Sequence, residues 1–205
     1  MKVVVGTQNR DKLREIKAIF ADLPVELVDL DAFPQVEMVE ESGTSLRDNA
    51  LLKARAVFRE TGLPAIADDT GLEVDALNGA PGVYAARFAG LGATYSANVE
   101  KLLAAMEHVS DERRTARFRT CAVYVDDSRE LAAEGTIEGH ITRIPTGENG
   151  FGYDPVFRVA GTGQTFGQMT DQEKHGISHR AKAFGALHQL LMRSVFTNLN
   201  EETPA

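Results

Sequence analysis

The chain has 205 residues, 43% hydrophobic and 25% charged, enough for one large domain or two small lobes sharing a sheet, with no need of staples. Asp and Glu number 30 against 22 Lys and Arg, a formal net charge of −8. That balance argues against a protein that wraps nucleic acid, which wants a basic stripe, but not against a small phosphorylated ligand held by local lysines and a metal. Cys121 is the only cysteine, so an intrachain disulfide and a cysteine metal cluster are both excluded. The opening apolar run is too short for a signal peptide, and no stretch approaches the ~18 apolar residues of a membrane span. A cytoplasmic protein with no membrane partner is expected.

Val3 to Val5 is a β-branched run that predicts a buried strand. Residues 10–20 then carry Leu13, Ile16, Ile19 and Phe20 at helical spacing, closed by Asp22-Leu23-Pro24. Val25 to Leu30 reads as a second strand. Ser45-Leu46-Arg47-Asp48 resembles a capping box and leads a helix with Leu46, Ala50, Ala54 and Val57 on one stripe. Ala65-Ile66-Ala67 predicts a buried strand that stops at Asp68-Asp69-Thr70-Gly71, with Leu72 to Val74 continuing extended. A further helix is expected over 97–107, with Leu102, Leu103 and Met106 inward. Strands follow at 116–125, 131–142 and 153–159, the last after the glycine-rich residues 147–152. Thr170-Asp171-Gln172-Glu173 is a capping box, and the final helix places Ala181, Phe184, Leu187, Leu191 and Val195 along one face. The pattern gives an α/β fold with a mixed sheet, residues 1–199 as a single domain and 200–205 as a flexible tail.

Five constellations can carry chemistry. Thr7-Gln8-Asn9-Arg10-Asp11-Lys12 stands where a strand turns into a helix, whose N–H groups and dipole suit a phosphate; the bland alternative is a plain cap with a solvated lysine. It lacks the glycines of a P-loop. Glu40-Glu41 and Asp68-Asp69 offer carboxylates from two segments, the hard oxygen donors that Mg²⁺ takes together with water and substrate phosphates. Asp68 and Asp69 follow an apolar run, so at least one sits at the edge of the core, where a like-charged pair needs a cation or proton between them. Lys53 shares a helix face with Asn49, away from the apolar stripe, and reads by itself as a solvated lysine. Gly147-Glu148-Asn149-Gly150-Phe151-Gly152-Tyr153-Asp154-Pro155 lets backbone approach a ligand; Phe151 or Tyr153 could stack on a base, and Asp154 is held extended before Pro155. Glu173-Lys174-His175-Gly176-Ile177-Ser178-His179-Arg180 gathers potential anion or base-edge donors, against the plainer reading of solvated helix residues. No nucleophile elbow is present, which disfavours covalent catalysis.

Taken together, residues 7–12, 40–43, 49–53, 67–71, 80–82, 151–155 and 178–180 resemble, in order and spacing, the inosine triphosphate pyrophosphatase (dITP/XTP pyrophosphatase) family. The run from Ile66 to Leu77 and the later Phe-Gly-Tyr-Asp-Pro are the most specific parts. The resemblance implies an elongated mixed α/β sheet flanked by helices, with a cleft between two lobes, and usually a homodimer. It implies hydrolysis of ITP, dITP and XTP to the monophosphate and pyrophosphate with Mg²⁺ as cofactor. By that resemblance Thr7, Gln8, Asn9, Arg10, Asp11, Lys12 and Lys53 match phosphate contacts. Glu40 and Asp69 match the Mg²⁺ site, with Glu41 and Asp68 as the alternative members of each pair. Asp69 matches the proton acceptor and Thr70 a substrate contact. Phe151, Gly152, Tyr153 and Asp154 match the segment holding the purine, and Lys174, His179 and Arg180 the remaining base and phosphate contacts. The chain departs from the family pattern at Gly167-Gln168-Met169, His175-Gly176 and Ala181-Lys182, the last beside His179-Arg180. Rival readings are a pyrophosphatase for another nucleotide and a non-catalytic nucleotide sensor; the charge of −8 makes a nucleic-acid binder the weakest.

Overall fold

The computed structural model describes residues 1–21, 23–37 and 39–196, apart from the side chain of Phe196; the expected tail at 200–205 lies outside the described residues. Its elements are β1 (Lys2–Val5), α1 (Arg10–Ile19), β2 (Glu26–Asp29), α2 (Leu46–Thr61), β3 (Ala65–Val74) and β4 (Pro81–Gly82). They continue with α3 (Tyr95–Ala105), β5 (Thr115–Val125), β6 (Glu130–Ile141), β7 (Phe157–Val159), α4 (Asp171–Ile177) and α5 (His179–Leu191). The strands pair in the order β2-β1-β3-β5-β6-β7, with β4 on β3. β1 runs parallel to β2 and β3, while β4 is antiparallel to β3 and β7 to β6, so the sheet is mixed as expected. No helix among the described residues is long and apolar enough to cross a membrane.

The chain gathers into two compact units, one from Met1–Asp69, Cys121–Gly135 and the chain from Arg180, the other from Thr70–Thr120 and Thr136–His179. In the first, the period-two alternation of strands sorts side chains onto two faces. Val3, Val5, Ile66, Ala122 and Tyr124 pack with Ile16 and Phe20 near α1 and with Phe184 and Leu187 of α5. Val4, Ala65, Ala67, Cys121 and Val123 pack with Ala50, Ala54 and Val57 of α2.

Three expectations are corrected. β3 does not stop at Asp68 but runs unbroken through Asp68-Asp69-Thr70-Gly71 to Val74. Strand interiors disfavour aspartate for want of a partner, and here lysines supply one. The C-terminal helical region is two helices, because Ser178 adopts extended angles (φ −65°, ψ 157°) that close α4. Within α5 the buried face is Ala183, Phe184, Leu187 and Leu191; Ala181 is only half-buried, and Val195 lies beyond α5 in a π-helical turn, Met192–Phe196. Asp154 opens a 3-10 turn, Asp154–Val156, rather than an extended segment, which moves the start of the strand to Phe157.

The second unit packs Leu72, Val74, Leu102, Met106, Phe118, Ile141, Phe157 and Phe166 into one core. Arg114 is buried beside it and donates to the carbonyls of Ile141 (2.8 Å), Met106 (2.7 Å) and Thr142 (3.0 Å). One guanidinium thus ties the C-terminus of α3 to the end of β6, matching a cation to the negative end of a helix. Arg114→Met leaves three buried carbonyls short of a donor and should lower unfolding free energy by at least ~2 kcal/mol. Arg114→Lys should recover only part, since an ammonium cannot span three acceptors. Urea denaturation of the two variants checks this.

Candidate active site

The turn from β1 into α1 is a well-formed cap. Asn9 sits at the N-cap with φ −79° and ψ 108°, and its carboxamide oxygen accepts the N–H of Asp11 (2.9 Å) and of Lys12 (3.1 Å). Thr7 Oγ1 accepts the Asn9 N–H at 3.2 Å. Gln8 and Arg10 are exposed, Asp11 is half-buried, and Lys12 turns inward to Asp68. The predicted phosphate turn therefore presents a capped helix start with one lysine committed to the strand below it.

Asp68 and Asp69 are 2% and 5% exposed and, as neighbours in a strand, leave it on opposite faces. Asp68 follows Ile66 and meets Lys12 Nζ at 2.9 Å on the α1 side, with Arg180 Nε 3.7 Å away from α5. Arg180, itself 2% exposed, also pairs with the buried Glu15 of α1. Asp69 follows Ala67 and meets α2, where Asn49 Nδ2 donates to it at 3.1 Å and Lys53 Nζ at 3.2 Å. The two carboxylates thus do not face each other, and each has its own cationic partner. Lys53 is 6% exposed rather than the solvated lysine that its helix face suggests. Its ammonium also binds Glu41 at 2.9 Å, whereas Glu40 is exposed on the loop. Asn49 takes the Gly43 N–H at 2.8 Å through its other carboxamide atom, which ties the acidic loop to α2 and fixes which way the amide points.

These partners split the acidity of the pair. Burial raises the Asp68 carboxyl, but Lys12, Arg180 and Lys53 outweigh it and hold it well below the usual carboxylate range. For Asp69 burial prevails, with Glu41 adding to the rise and Lys53, Lys12 and Asn49 offsetting only part, so its carboxyl sits above the ordinary value. Burial also lowers Lys12, whereas the carboxylates around Lys53 outweigh its burial and raise it. Asp68 is therefore a fixed anion, and Asp69 is the better proton acceptor.

The second unit holds the other group of predicted residues. Asp154 Oδ2 accepts Lys174 Nζ at 2.6 Å and the Phe151 N–H at 2.8 Å. Gly150 is required here: its φ is +73°, and a Cβ would fall 2.1 Å from that same carboxylate oxygen. Lys174 Nζ lies 4.7 Å from the centre of the Phe151 ring and 5.5 Å from that of Phe166. His179 is buried, stacked on Phe118 at 4.6 Å and 14°. Tyr153, by contrast, is in the core, 5% exposed, with its hydroxyl donating to the Ala85 carbonyl at 2.9 Å, so stacking on a base falls to Phe151 alone. Gly152 forms the turn between them, and Thr70 Oγ1 meets Thr120 Oγ1 at 2.8 Å. Sequence reasoning missed Glu15, Phe118 and Phe166. Glu15 reads as an exposed helical acid, and the two rings carry no signal separating them from ordinary core aromatics.

The sequence model of the Ham1 family matches residues 3–190. A dITP/XTP pyrophosphatase of Streptomyces coelicolor is 45% identical over 189 residues, 91% of this chain and 94% of that protein. One from Thermoanaerobacter sp. is 45% identical over 193 residues, 94% and 98% of the two chains. Among solved structures, a HAM1 protein from Coxiella burnetii superposes with a TM-score of 0.87 at 39% identity, across 95% of this chain and 100% of that one. With the family model spanning residues 3–190 and relatives at 45% identity across more than nine-tenths of this chain, the chain belongs to the Ham1 family.

Proposed function

We propose that this chain hydrolyses non-standard purine nucleoside triphosphates, ITP, dITP and XTP, to the nucleoside monophosphate and pyrophosphate, cleansing the nucleotide pool. The observation that carries the reading is the divided acid pair on β3: one buried carboxylate set against Lys12 and Arg180, the next against Asn49 and Lys53. A module that only sensed nucleotides would have no use for the second. The names of the relatives support the substrate class, and the reading makes the working unit a cytoplasmic homodimer.

Lys12 and Lys53 spread positive potential toward phosphate oxygens at the start of α1 and along α2. Asp69 orients a water and takes its proton as the water attacks the α-phosphorus, with pyrophosphate leaving. Asp69 with Glu41 or Glu40 would hold Mg²⁺, and the donor set fits, being carboxylate oxygen throughout. Mg²⁺ completes its shell with water and substrate phosphates, so a full cage of protein ligands is not needed. When bound, Mg²⁺ supplies charge neutralisation on the triphosphate. In the second unit, Phe151 offers a ring to the purine, with the Lys174 ammonium over that ring. A 6-oxo purine presents an acceptor that backbone N–H groups can read; adenine presents a donor there and leaves such groups unpaired.

With ITP, dITP, XTP, GTP, ATP and dTTP in Mg²⁺, pyrophosphate is expected from the first three and little from the others. Scoring pyrophosphate and orthophosphate separately decides it. Orthophosphate would place attack at the γ-phosphorus, and tight nucleotide binding without turnover would make the protein a sensor. Excess chelator should abolish turnover and Mg²⁺ restore it, while the melting temperature stays put, because the carboxylates already have lysine partners. Full activity in chelator would remove the metal from the reaction.

A further inference from the structure

Among the described residues, six large hydrophobic side chains stand exposed: Met1, Tyr84, Leu91, Tyr95, Ile144 and Met192. Tyr95 differs from the rest in touching a residue of the candidate base site. Its ring lies 5.8 Å from that of Phe151 at an interplanar angle of 39°, and it is 46% exposed. Its position is set locally. Thr94 caps α3 by accepting the Ala97 N–H at 3.1 Å, which fixes Tyr95 as the first helical residue. Phe151 is fixed too, through its N–H on Asp154 and the Lys174 ammonium over its ring. The result is a pre-set pair of rings, the inner one engaged by a cation and the outer one half open to solvent.

An exposed aromatic packed at an angle against a second ring adds a further aromatic wall for a ligand, and a bicyclic base touches more of the pair than a monocyclic one. We propose that Tyr95 is a specificity-determining residue of this site, an outer stacking surface that widens the Phe151 platform and favours purine over pyrimidine. The inference rests on the function proposed above. The ring does the work and the hydroxyl is incidental. Stacking of one base on one aromatic is worth ~1–3 kcal/mol on alanine substitution, which sets the scale at about tenfold in affinity.

The test is steady-state kinetics of the full chain with Mg²⁺, comparing Tyr95→Ala and Tyr95→Phe with the parent. Tyr95→Ala should raise KM for ITP roughly tenfold, lower the preference for ITP over dUTP accordingly, and leave the inhibition constant for pyrophosphate unchanged. Tyr95→Phe should retain the parent KM. An unchanged KM in Tyr95→Ala would overturn the proposal. So would equal shifts in both variants, or a pyrophosphate constant that moves in step with KM, which would mark general loosening of the fold. A parent protein that turns over no triphosphate is a different result, because it defeats the functional reading itself.

Discussion

Consecutive side chains of a β-strand point to opposite faces, and in β3 that rule separates Asp68 from Asp69. Two adjacent carboxylates that would repel each other in a turn are sent to different helices. Asp68 goes to the face carrying Lys12 of α1 and Arg180 of α5; Asp69 goes to the face carrying Asn49 and Lys53 of α2. The helices are held on those faces by the same alternation, because Val3, Val5 and Ile66 anchor one side and Val4, Ala65 and Ala67 the other. The chemistry of the first unit follows from that placement.

Burying charge is costly unless each ion has a partner and further hydrogen bonds. The first unit meets this with a chain of contacts that links several of its ions. Lys53 bridges Asp69 and Glu41, Asn49 links Asp69 to the backbone of Gly43, and Arg180 joins Glu15 to the region of Asp68. The second unit uses the same device once more in Asp154 and Lys174, both nearly inaccessible to solvent, with Gly150 leaving room for the carboxylate. Such networks give specificity of geometry rather than net stability, which suits groups that must present fixed charges to a ligand.

Much of this was legible in the sequence. The helices at Arg10 and Leu46 and the capping box at Thr170 emerge from periodicity and cap residues, and the structure has them. The acid pairs and Lys53 stood out as chemistry by their place in an ordered set of motifs. What the sequence hid is partnership at long range. Asp-Asp-Thr-Gly reads as a turn because local propensity knows nothing of Lys12, 56 residues away in the chain, or of Lys53. Lys53 reads as solvated, and Tyr153 as a stacking ring, for the same reason: burial depends on what folds over a residue. Between Glu40 and Glu41, only the three-dimensional position of Lys53 distinguishes the inward carboxylate from the exposed one.

The most direct test of the divided pair is to neutralise each member alone and measure turnover and stability together. Asp69→Asn should lower ITP turnover by orders of magnitude with the fold intact, because it removes the proton acceptor and keeps the shape. Asp68→Asn should instead destabilise the protein by about 3–5 kcal/mol, since Lys12 would then lose its anion and Arg180 would keep only Glu15. Near-normal turnover in Asp69→Asn, or equal loss of stability in both variants, would contradict the assignment of separate tasks to the two carboxylates.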